Sequence, residues 1–375
     1  MNAERLHDLI ELEFGSPMTI LSKALRSMFV AAPGRILCGA DYSNVEGRVN
    51  AWICGEEWKI RAFKEFDAGT GPDLYKLAYS RSFGVPIEEV KKPQRQIGKT
   101  QELALSFGGS IGAWLRFDPV PITVTKLVSE QFRGTDSWRK AEEQYDRARH
   151  HYDLTPDQWI SIKVVVNGWR EANSNITQSW WALADAAVEA VDQRGNLVSL
   201  LDGKVQYLAS DGFLWCRTPS GKLLAYASPQ LVETREEWLV DADGEAHPAE
   251  EFDAEEIAAR VAAGATLESG RARTQVMFQG KNMRTGVWGR QRLYGGLQNN
   301  NVVQSTAREL LREGMLRVEA AGYPIVLHCH DEVVSEIDEG CGSVGEYEAL
   351  MSTVPSWAEG LPLVAKGWLD RRYVK

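Results

Sequence analysis

The stretch that decides the fold reads RILCGADYSNVEGR and spans residues 35–48. Its first part, Arg35–Asp41, is a short apolar run that follows the turn pair Pro33-Gly34 and ends in a carboxylate. An apolar run of this length after a turn signal is typical of a buried strand, and the residues that follow have a helical pattern. The segment therefore predicts a strand that leads directly into a helix, with Asp41 at the point where the strand ends.

A second apolar segment, YPIVLHCHDEVVSEI at residues 323–337, predicts two strands around a tight turn at His330-Asp331-Glu332. Taken separately, Asp41 and Asp331 have structural explanations, because a strand-end Asp often caps a helix and Asp is common in turns. If both strands belong to one sheet, the two carboxylates form the kind of site that a hard divalent cation such as Mg²⁺ prefers.

A third pattern lies in PQRQIGKTQELALSF, residues 93–107, which predicts a helix that ends before a glycine pair. Four side chains spaced four residues apart form one stripe along this helix, and they are Arg95, Lys99, Leu103 and Phe107. Two cations at one end and two apolar groups at the other match the charged and flat ends of a bound nucleotide. The alternative is an amphipathic surface helix whose basic side chains extend into solvent.

The rest of the chain adds helices, a small sheet and an acidic surface segment. Residues 129–191 and 299–320 have helical patterns, whereas 196–232 has strand-like runs separated by Asp-Gly and Ser-Gly pairs, which predicts an antiparallel meander. Residues 233–270 are polar and predict a surface insertion with a short helix.

Composition favours a folded protein of two or three domains. The chain has 375 residues, of which 44% are hydrophobic and 25% charged, so it can bury a sizeable core. It contains neither the ~18 consecutive apolar residues of a membrane span nor the apolar core of a signal peptide. Five cysteines, an odd number without CxxC spacing, indicate neither a disulfide framework nor a zinc site. We therefore expect a cytoplasmic protein, in the cytoplasm of a host cell if a phage encodes it.

The net charge of −10 would ordinarily disfavour a nucleic-acid partner, because phosphate binding needs Lys and Arg. Eleven acids and one base, Arg235, fall between Glu233 and Glu256. Without this segment the 52 acids and 42 bases of the chain become 41 and 41. The remainder is therefore neutral overall and can carry basic faces.

In order and content, these motifs resemble the DNA polymerase I type, or family A, of template-directed DNA polymerases. The family's motif A is similar to DYSNVEGR at Asp41–Arg48, its motif B to RQIGKTQELALSFGG from Arg95, and its motif C to His330-Asp331-Glu332. A further family helix is similar to NNNVVQSTARELL, residues 299–311. The phage branch is similar in LRSMFVAAPG, AWICGEEW, WGRQRLYGG and WAEGLPLVAKGW, so that the likeness runs from Gly15 to the last residue.

The resemblance implies an α+β fold, the palm and fingers of a right-hand polymerase, with the thumb and exonuclease domains absent. The palm would be an antiparallel sheet with helices, assembled from residues 16–66 and 291–375 after a leader at 1–15. The fingers would be a mainly helical excursion over 67–290 that includes the meander and the acidic insertion defined above.

The resemblance also implies roles for single residues. Asp41 and Asp331 would hold two Mg²⁺ ions, with Mn²⁺ as a substitute and the backbone carbonyl of Tyr42 as a further ligand. Lys99 would give a proton to the leaving pyrophosphate, and Glu46 would close off the space of a ribose 2′-hydroxyl. The implied nucleotide-binding positions are Arg95, Lys99, Leu103, Phe107, Glu46, Tyr75 and Tyr42. The implied positions near primer and template are Arg48, Asn300, Gln304, His330 and Glu332.

Three of these positions depart from the family pattern. Leu103 stands where the family usually has an aromatic residue, Phe107 where it has a tyrosine, and Tyr75 where many relatives have a phosphate-contacting histidine. Leu103 and Phe107 remove neither a catalytic carboxylate nor a phosphate-binding cation, so these two departures bear on sugar selectivity and fidelity and not on activity.

The function implied is template-directed DNA synthesis, in which dNTPs are added to a primer 3′-hydroxyl by two-metal nucleotidyl transfer. The implied partners are primer-template DNA and dNTPs, with no membrane. Because few residues precede motif A, we expect the C-terminal polymerase subunit of a divided phage-type polymerase, which works with a separate subunit that supplies a thumb, with or without an exonuclease. Two alternatives stay open: a non-catalytic nucleic-acid-binding or structural subunit with a polymerase-like fold, and a metal-dependent phosphohydrolase built on the same two aspartates.

Overall fold

The computed structural model describes residues 25, 28–148, 152–235, 237–241, 246–249, 254–270, 272–282 and 285–374. The chain divides into two compact units, one drawn from Met1–Val45 and Ala307–Lys375 and the other from Glu46–Thr306. The predicted leader at 1–15 lies outside the described residues, as do the first residues of the predicted palm and parts of the acidic insertion. The boundaries of palm and fingers stay predictions.

Helices and strands alternate in blocks along the described residues. The helices are α1 Val45–Cys54, α2 Glu57–Asp67, α3 Leu74–Phe83, α4 Lys92–Leu105, α5 Ile111–Phe117, α6 Ile122–Phe132, α7 Asp136–Arg147, α8 Pro156–Ala172, α9 Ser174–Asp192, α10 Ala254–Ala262, α11 Gly295–Ala320 and α12 Val344–Ser352. The strands are β1 Arg35–Tyr42, β2 Val198–Leu200, β3 Val205–Ser210, β4 Phe213–Arg217, β5 Leu223–Thr234, β6 Glu237–Val240, β7 Ala246–Pro248, β8 Thr266–Ser269, β9 Arg273–Lys281, β10 Trp288–Leu293, β11 Ile325–Cys329, β12 Glu332–Asp338 and β13 Ala365–Asp370.

The first unit is built on a four-stranded antiparallel sheet in the order β11-β12-β1-β13. Residues Leu37 to Ala40 of β1, an inner strand of this sheet, are all buried. On one face the buried Tyr42 hydroxyl lies 2.9 Å from the carbonyl oxygen of Met351, which belongs to α12. On the other face Gly39 lies so close to the Trp368 ring that an added Cβ would be 2.6 Å from it. The apolar run is therefore packed on both sides of the sheet.

The sequence predicted the elements of this sheet correctly. The strand expected at Arg35–Asp41 is β1, and the two strands expected at 323–337 are β11 and β12. Cys329 pairs with Glu332 across the ladder, so that His330 and Asp331 form a two-residue turn. An antiparallel sheet joined with helices confirms the α+β class.

The second unit contains the helices α1 to α9 and a six-stranded antiparallel sheet in the order β10-β9-β5-β4-β3-β2. The meander predicted at 196–232 is confirmed as β2 to β5, and β9 and β10 extend it on one side. Helix α9 packs against this sheet. Residues 233–270 contribute the short helix α10, as predicted, and a three-stranded sheet in the order β7-β6-β8.

The helix α4 carries the motif B residues and differs from its predicted bounds at one end. It starts near Pro93, as expected for a proline in the first turn, but ends at Leu105, two residues before the predicted end. Gly108 has a φ of 83°, a left-handed conformation that turns the chain away from the helix axis. Among the described residues, no helix has both the length and the apolar character needed to cross a membrane.

Gly98 sets the distance between α4 and α3. A Cβ added at this position would lie 2.0 Å from the carbonyl oxygen of Tyr75, whereas a Cβ added at Gly345 in α12 would have no neighbour within 4 Å. We expect Gly98→Ala to lower the free energy of unfolding by about 2 kcal/mol, because the helices must separate. Gly345→Ala should raise it by up to about 1 kcal/mol through helix propensity. Urea unfolding of both variants checks this, and equal effects would contradict the close approach.

Candidate active site

The two predicted metal-binding carboxylates lie at the ends of neighbouring strands in the first unit. Asp41 is the cross-strand partner of Glu332, and the backbone N–H of Tyr42 donates a hydrogen bond to the carbonyl oxygen of Asp331 at 3.2 Å. Both aspartates are half-buried. The sheet therefore brings Asp41 and Asp331 together, as their places at strand ends predicted.

The turn residue His330 has a φ of 57°, which is the left-handed region that a histidine rarely occupies. Its Nδ1 lies 3.3 Å from Oδ1 of Asp331, and its side chain is exposed. A two-residue turn between antiparallel strands requires such a conformation, and the strain concentrates at this point of the sheet. The imidazole is thus held beside the Asp331 carboxylate and open to solvent.

Glu332, the third residue of motif C, is only 2% exposed. Its Oε1 accepts a hydrogen bond from the indole N–H of Trp368 at 3.2 Å, and its Oε2 accepts one from the Tyr373 hydroxyl. The carboxylate is therefore held by two donors inside the first unit. Its predicted role near primer and template stays a prediction.

Lys366 is a neighbour of this site that the sequence did not reveal. It is the cross-strand partner of Asp41 on β13, opposite to Glu332 on β12, and its side chain is exposed. Residues directly opposite in an antiparallel ladder point to the same face. Glu332, the candidate metal ligand Asp41 and Lys366 thus form a row across three neighbouring strands. Only the register of the sheet places these three residues side by side.

In the second unit, Arg95 and Tyr75 are brought together by Asp73. The guanidinium of Arg95 donates two hydrogen bonds to Oδ2 of Asp73, at 3.0 and 2.8 Å, and lies 5.2 Å from the centre of the Tyr75 ring. Asp73 also caps α3 by accepting the backbone N–H groups of Tyr75 and Lys76. Burial acts to raise the pKa of Asp73, but the hydrogen bonds from Arg95 and the backbone outweigh it and lower the pKa.

Three of the four predicted stripe residues lie on α4, and the fourth does not. Lys99 is half-buried and Leu103 is half exposed, whereas Phe107 lies beyond the helix end at Leu105. The prediction of a continuous helical stripe as far as Phe107 was therefore wrong at its last member. The left-handed Gly108 explains the difference, because the chain must leave the helix before reaching it.

The helix α4 is anchored by a buried ion pair at Glu102, one turn along the helix from Lys99. Nζ of Lys59 lies 2.7 Å from Oε2 of Glu102, and Oε1 of Glu102 accepts the indole N–H of Trp169 at 2.9 Å. The Lys59 ammonium also lies 5.3 Å from the centre of the Trp169 ring. The ion pair connects α4 to α2, and the indole hydrogen bond connects it to α8, so these two contacts fix the orientation of α4.

The residues of the second unit that the resemblance assigns to nucleotide or DNA contacts differ in exposure. Asn300 is half-buried and Gln304 is exposed, both on α11, and Glu46 is half-buried in the first turn of α1. Next to Asn300, the buried Asn299 donates a hydrogen bond to Oδ1 of Asn50 at 2.9 Å, which connects α11 to α1.

Arg48 is the predicted site residue with the most unexpected surroundings. It is 1% exposed, and its two terminal nitrogens donate to the two carboxylate oxygens of Asp67 at 2.6 and 2.7 Å. The guanidinium lies 4.6 Å from the centre of the Phe63 ring. This is a bidentate, packed ion pair of the kind in which arginine cannot be exchanged for lysine.

We expect Arg48→Ala to lower the free energy of unfolding by about 3 kcal/mol, because it leaves a largely buried carboxylate at Asp67 without its partner. The matched control is Arg35→Ala, which breaks an ion pair with Asp338 at the same 2.6 Å distance but in an exposed setting. That change should cost less than about 1 kcal/mol. Urea unfolding compares them, and similar losses would mean that Arg48 does not stabilise the unit through Asp67.

Known proteins match this chain at the level of a family model, of whole sequences and of a solved structure. Residues 17–113 match the model of DNA polymerase family A. The chain is 31% identical over 371 residues to the DNA polymerase of Bacillus phage SP02, a match that covers 98% of this chain and 46% of the phage protein. It is 38% identical over 92 residues to the thermostable DNA polymerase I of Thermus thermophilus, which is 24% of this chain and 10% of that protein.

The solved structure is the POL domain of Pol1 from M. smegmatis in complex with DNA primer-template and dNTP. It aligns with 93% of this chain and 42% of that chain, at a TM-score of 0.45 and 18% identity. The chain thus spans less than half the length of the phage relative. The family-model match contains the motif A and motif B segments, and the phage match extends over nearly the whole chain. We conclude that the chain is a relative of the family A DNA polymerases, as its three motifs predict.

Proposed function

We propose that the chain carries out template-directed DNA synthesis, the addition of dNTPs to a primer 3′-hydroxyl. The observation that carries this proposal is the juxtaposition of Asp41 and Asp331, joined through the hydrogen bond from the Tyr42 N–H to the Asp331 carbonyl. The names of the matched relatives support the same reaction, since all are called DNA polymerases.

The donor set fits Mg²⁺. Within the described residues, no group of three or more His, Cys, Asp or Glu side chains could hold a metal ion by itself. Mg²⁺ nevertheless suits a pair of carboxylates, because it commonly takes one or two of them and completes its octahedron with water and substrate phosphates. Asp41, Asp331 and the backbone carbonyl of Tyr42 would hold two Mg²⁺ ions, or Mn²⁺ in their place. When bound, such ions lower the pKa of the attacking hydroxyl and stabilise charge on the phosphoryl group.

The cations of α4 would bind the triphosphate of the incoming nucleotide. Arg95 is held by Asp73 through two hydrogen bonds, which restricts its guanidinium before any ligand arrives and reduces the entropy lost on binding. The primer 3′-hydroxyl would lose its proton to solvent as its oxygen forms a bond to the α-phosphorus and the bond from that phosphorus to pyrophosphate breaks, and Lys99 would give a proton to the leaving pyrophosphate. Tyr75, which lies beside Arg95, would contact the phosphates as well.

The remaining predicted residues would select the sugar and guide the DNA. Leu103 and Phe107 would contact the sugar and the new base pair, and Glu46 would block a 2′-hydroxyl. The exposed His330 and Gln304 are the members of the primer and template group best able to contact DNA directly. Buried Arg48 and Glu332, together with half-buried Asn300, would act mainly by supporting the elements that do.

We further propose that a separate polypeptide supplies the thumb of a divided phage-type polymerase, with or without an exonuclease. Met28, Phe29 and Val30 form an exposed apolar strip beside the last residues of the chain, where the backbone N–H of Tyr373 donates to the carbonyl oxygen of Phe29 at 3.1 Å. An apolar strip of this kind is a candidate interface.

We expect Asp41→Asn and Asp331→Asn each to lower the rate of nucleotide incorporation at least about a hundredfold, because each removes charge where transition-state stabilisation is needed. Asp338→Asn, at the far end of β12, is the control and should leave the rate unchanged. Single-turnover primer extension measures all three. If a folded Asp41 or Asp331 variant retains wild-type rates, the proposed site is wrong.

Glu46→Ala should relax discrimination against ribonucleotides more than it slows dNTP use, since the proposed role is a steric block. Incorporation kinetics with a matched dNTP and rNTP give the ratio of kcat/KM values, which should fall by about tenfold or more. Glu46→Gln keeps the volume and should preserve most of the discrimination. An unchanged ratio in Glu46→Ala would remove this residue from sugar selection.

Phe29→Glu should weaken association with a candidate amino-terminal partner, measured by size-exclusion chromatography and by primer extension of the mixture. Phe117→Glu in α5 is the matched control, because the two phenylalanines are 51% and 52% exposed. The partner should increase processivity with wild-type protein and the control variant. Full, processive synthesis by the isolated chain would contradict the divided arrangement.

A further inference from the structure

Lys366 is the basic member of the row of residues that crosses the first unit at Asp41. The register pairs Asp41 with Glu332 of β12 on one side and with Lys366 of β13 on the other. Residues directly opposite in an antiparallel ladder have Cβ atoms about 4.5–5.5 Å apart, which is within the reach of a lysine side chain. The ammonium of Lys366 can therefore approach the Asp41 carboxylate without any change in the backbone.

The contacts of Trp368 show that these side chains share one face of the sheet. Trp368 follows Lys366 by two residues on β13, so the two side chains point to the same face. A Cβ added at Gly39, two residues before Asp41 on β1, would lie 2.6 Å from the Trp368 ring. The indole N–H of Trp368 also donates to Oε1 of Glu332 at 3.2 Å. Lys366 thus lies on the face that carries Asp41.

The acids of this site outnumber the base in the row. Asp41, Asp331 and Glu332 bring three carboxylates to neighbouring ends of β1 and β12. The two groups that donate hydrogen bonds to Glu332, an indole N–H and a tyrosine hydroxyl, are both neutral. Like charges at short range repel each other unless a cation lies nearby. A lysine in the same row supplies such a cation permanently, before any metal ion is bound.

The ammonium of Lys366 is not committed to another carboxylate. Its side chain is exposed, and among the described residues it takes part in no ion pair. Arg371, five residues further along the chain, is by contrast paired with Glu339 at 2.8 Å. An exposed charge acts over a Debye length of about 8–10 Å at ordinary salt concentrations. Lys366 therefore needs no fixed contact with Asp41 to influence its carboxylate.

We infer that Lys366 is the resident counter-ion of the site formed by Asp41 and Asp331. Its charge offsets the carboxylates before a divalent cation binds, and it repels that cation when it arrives. Lys366 thereby stabilises the metal-free first unit and weakens the affinity of the site for the ion. The inference rests on the proposed function for the presence of a divalent cation. It makes Lys366 a positioning residue, which acts through Asp41 and has no contact with substrate.

The test is the binding of Mn²⁺ alone, measured from the electron paramagnetic resonance signal of the free ion, with neither DNA nor nucleotide present. Lys366→Met keeps the length of the side chain without its charge and should bind Mn²⁺ about fivefold more tightly at low salt. Lys366→Glu should bind more tightly still, whereas Lys366→Arg should match wild type. The matched control is Arg371→Met, which removes an equal charge about 17 Å further along the chain and should leave the affinity unchanged.

A double-mutant cycle assigns the effect to Asp41. In the Asp41→Asn background, Lys366→Met should change the Mn²⁺ affinity by less than about twofold, because the carboxylate beside it is gone. An undiminished effect in that background would mean that Lys366 acts on another Mn²⁺ site, which would overturn the inference. Equal Mn²⁺ affinities of wild type and Lys366→Met would overturn it as well.

Thermal unfolding separates this role from an ordinary structural one. In EDTA, Lys366→Met should melt about 2–4 °C below wild type, because its carboxylates repel each other without a counter-ion. At saturating Mn²⁺ the difference should disappear, since an ion that binds the variant more tightly also stabilises it more. A loss of the same size in EDTA and in Mn²⁺ would show that Lys366 only supports packing, and it would contradict the inference.

Single-turnover primer extension by the same proteins keeps the inference apart from the proposed function. Mn²⁺ binding that depends on Lys366 and Asp41, in a chain that extends no primer, would refute the proposed function alone. Primer extension that depends on Asp41, in a chain whose Mn²⁺ affinity is the same with Lys366→Met, would refute the inference alone.

Discussion

The candidate site depends on the hydrogen bond between the Tyr42 N–H and the Asp331 carbonyl oxygen, which joins two segments far apart in sequence. This bond continues the ladder between β1 and β12, so the positions of the two carboxylates follow from the register of the sheet and need no contact between the side chains themselves. Two like charges at short range repel each other unless a cation compensates them. The ladder between β1 and β12 holds both residues at neighbouring strand ends, which is the arrangement that a preorganised cation site would require.

A second constraint fixes the helix that carries the basic stripe. Helix α4 has Gly98 against α3 and Glu102 against Lys59 and Trp169, so that one side of it is occupied by a close backbone approach and a buried ion pair. Buried pairs of this kind add little net stability, but they are costly to break, which favours one orientation of the helix over its alternatives. Lys99 and Leu103, which flank these contacts on the same helix, are then held in a defined direction.

Local patterns predicted the elements well, because they depend on neighbours in sequence. The strand before Asp41, the hairpin around Asp331, the meander and the motif B helix all follow from periodicity and from turn residues. The partner of Arg48 could not be predicted in this way, since Asp67 lies on another helix and nothing in the spacing relates them. The position of Lys366 beside Asp41 could not be predicted for the same reason, because only the strand register makes the two residues neighbours. Motif content predicted the candidate site, and tertiary pairing decided which of its residues are exposed.

The distribution of charge shows why a net charge of −10 is a poor guide to partners for this chain. Screening limits the reach of an exposed charge to about 10 Å, so a ligand responds to the groups near it and not to the sum. Acids of the 233–270 segment are partly offset by nearby bases, as Asp241 is by Arg260. A cavity of the second unit, by contrast, is lined by Arg170, Arg273 and Arg292 and by a single acid, Asp185. A chain can therefore be acidic in total and still present a local field that attracts a phosphate backbone, provided that its acids are grouped elsewhere in the sequence.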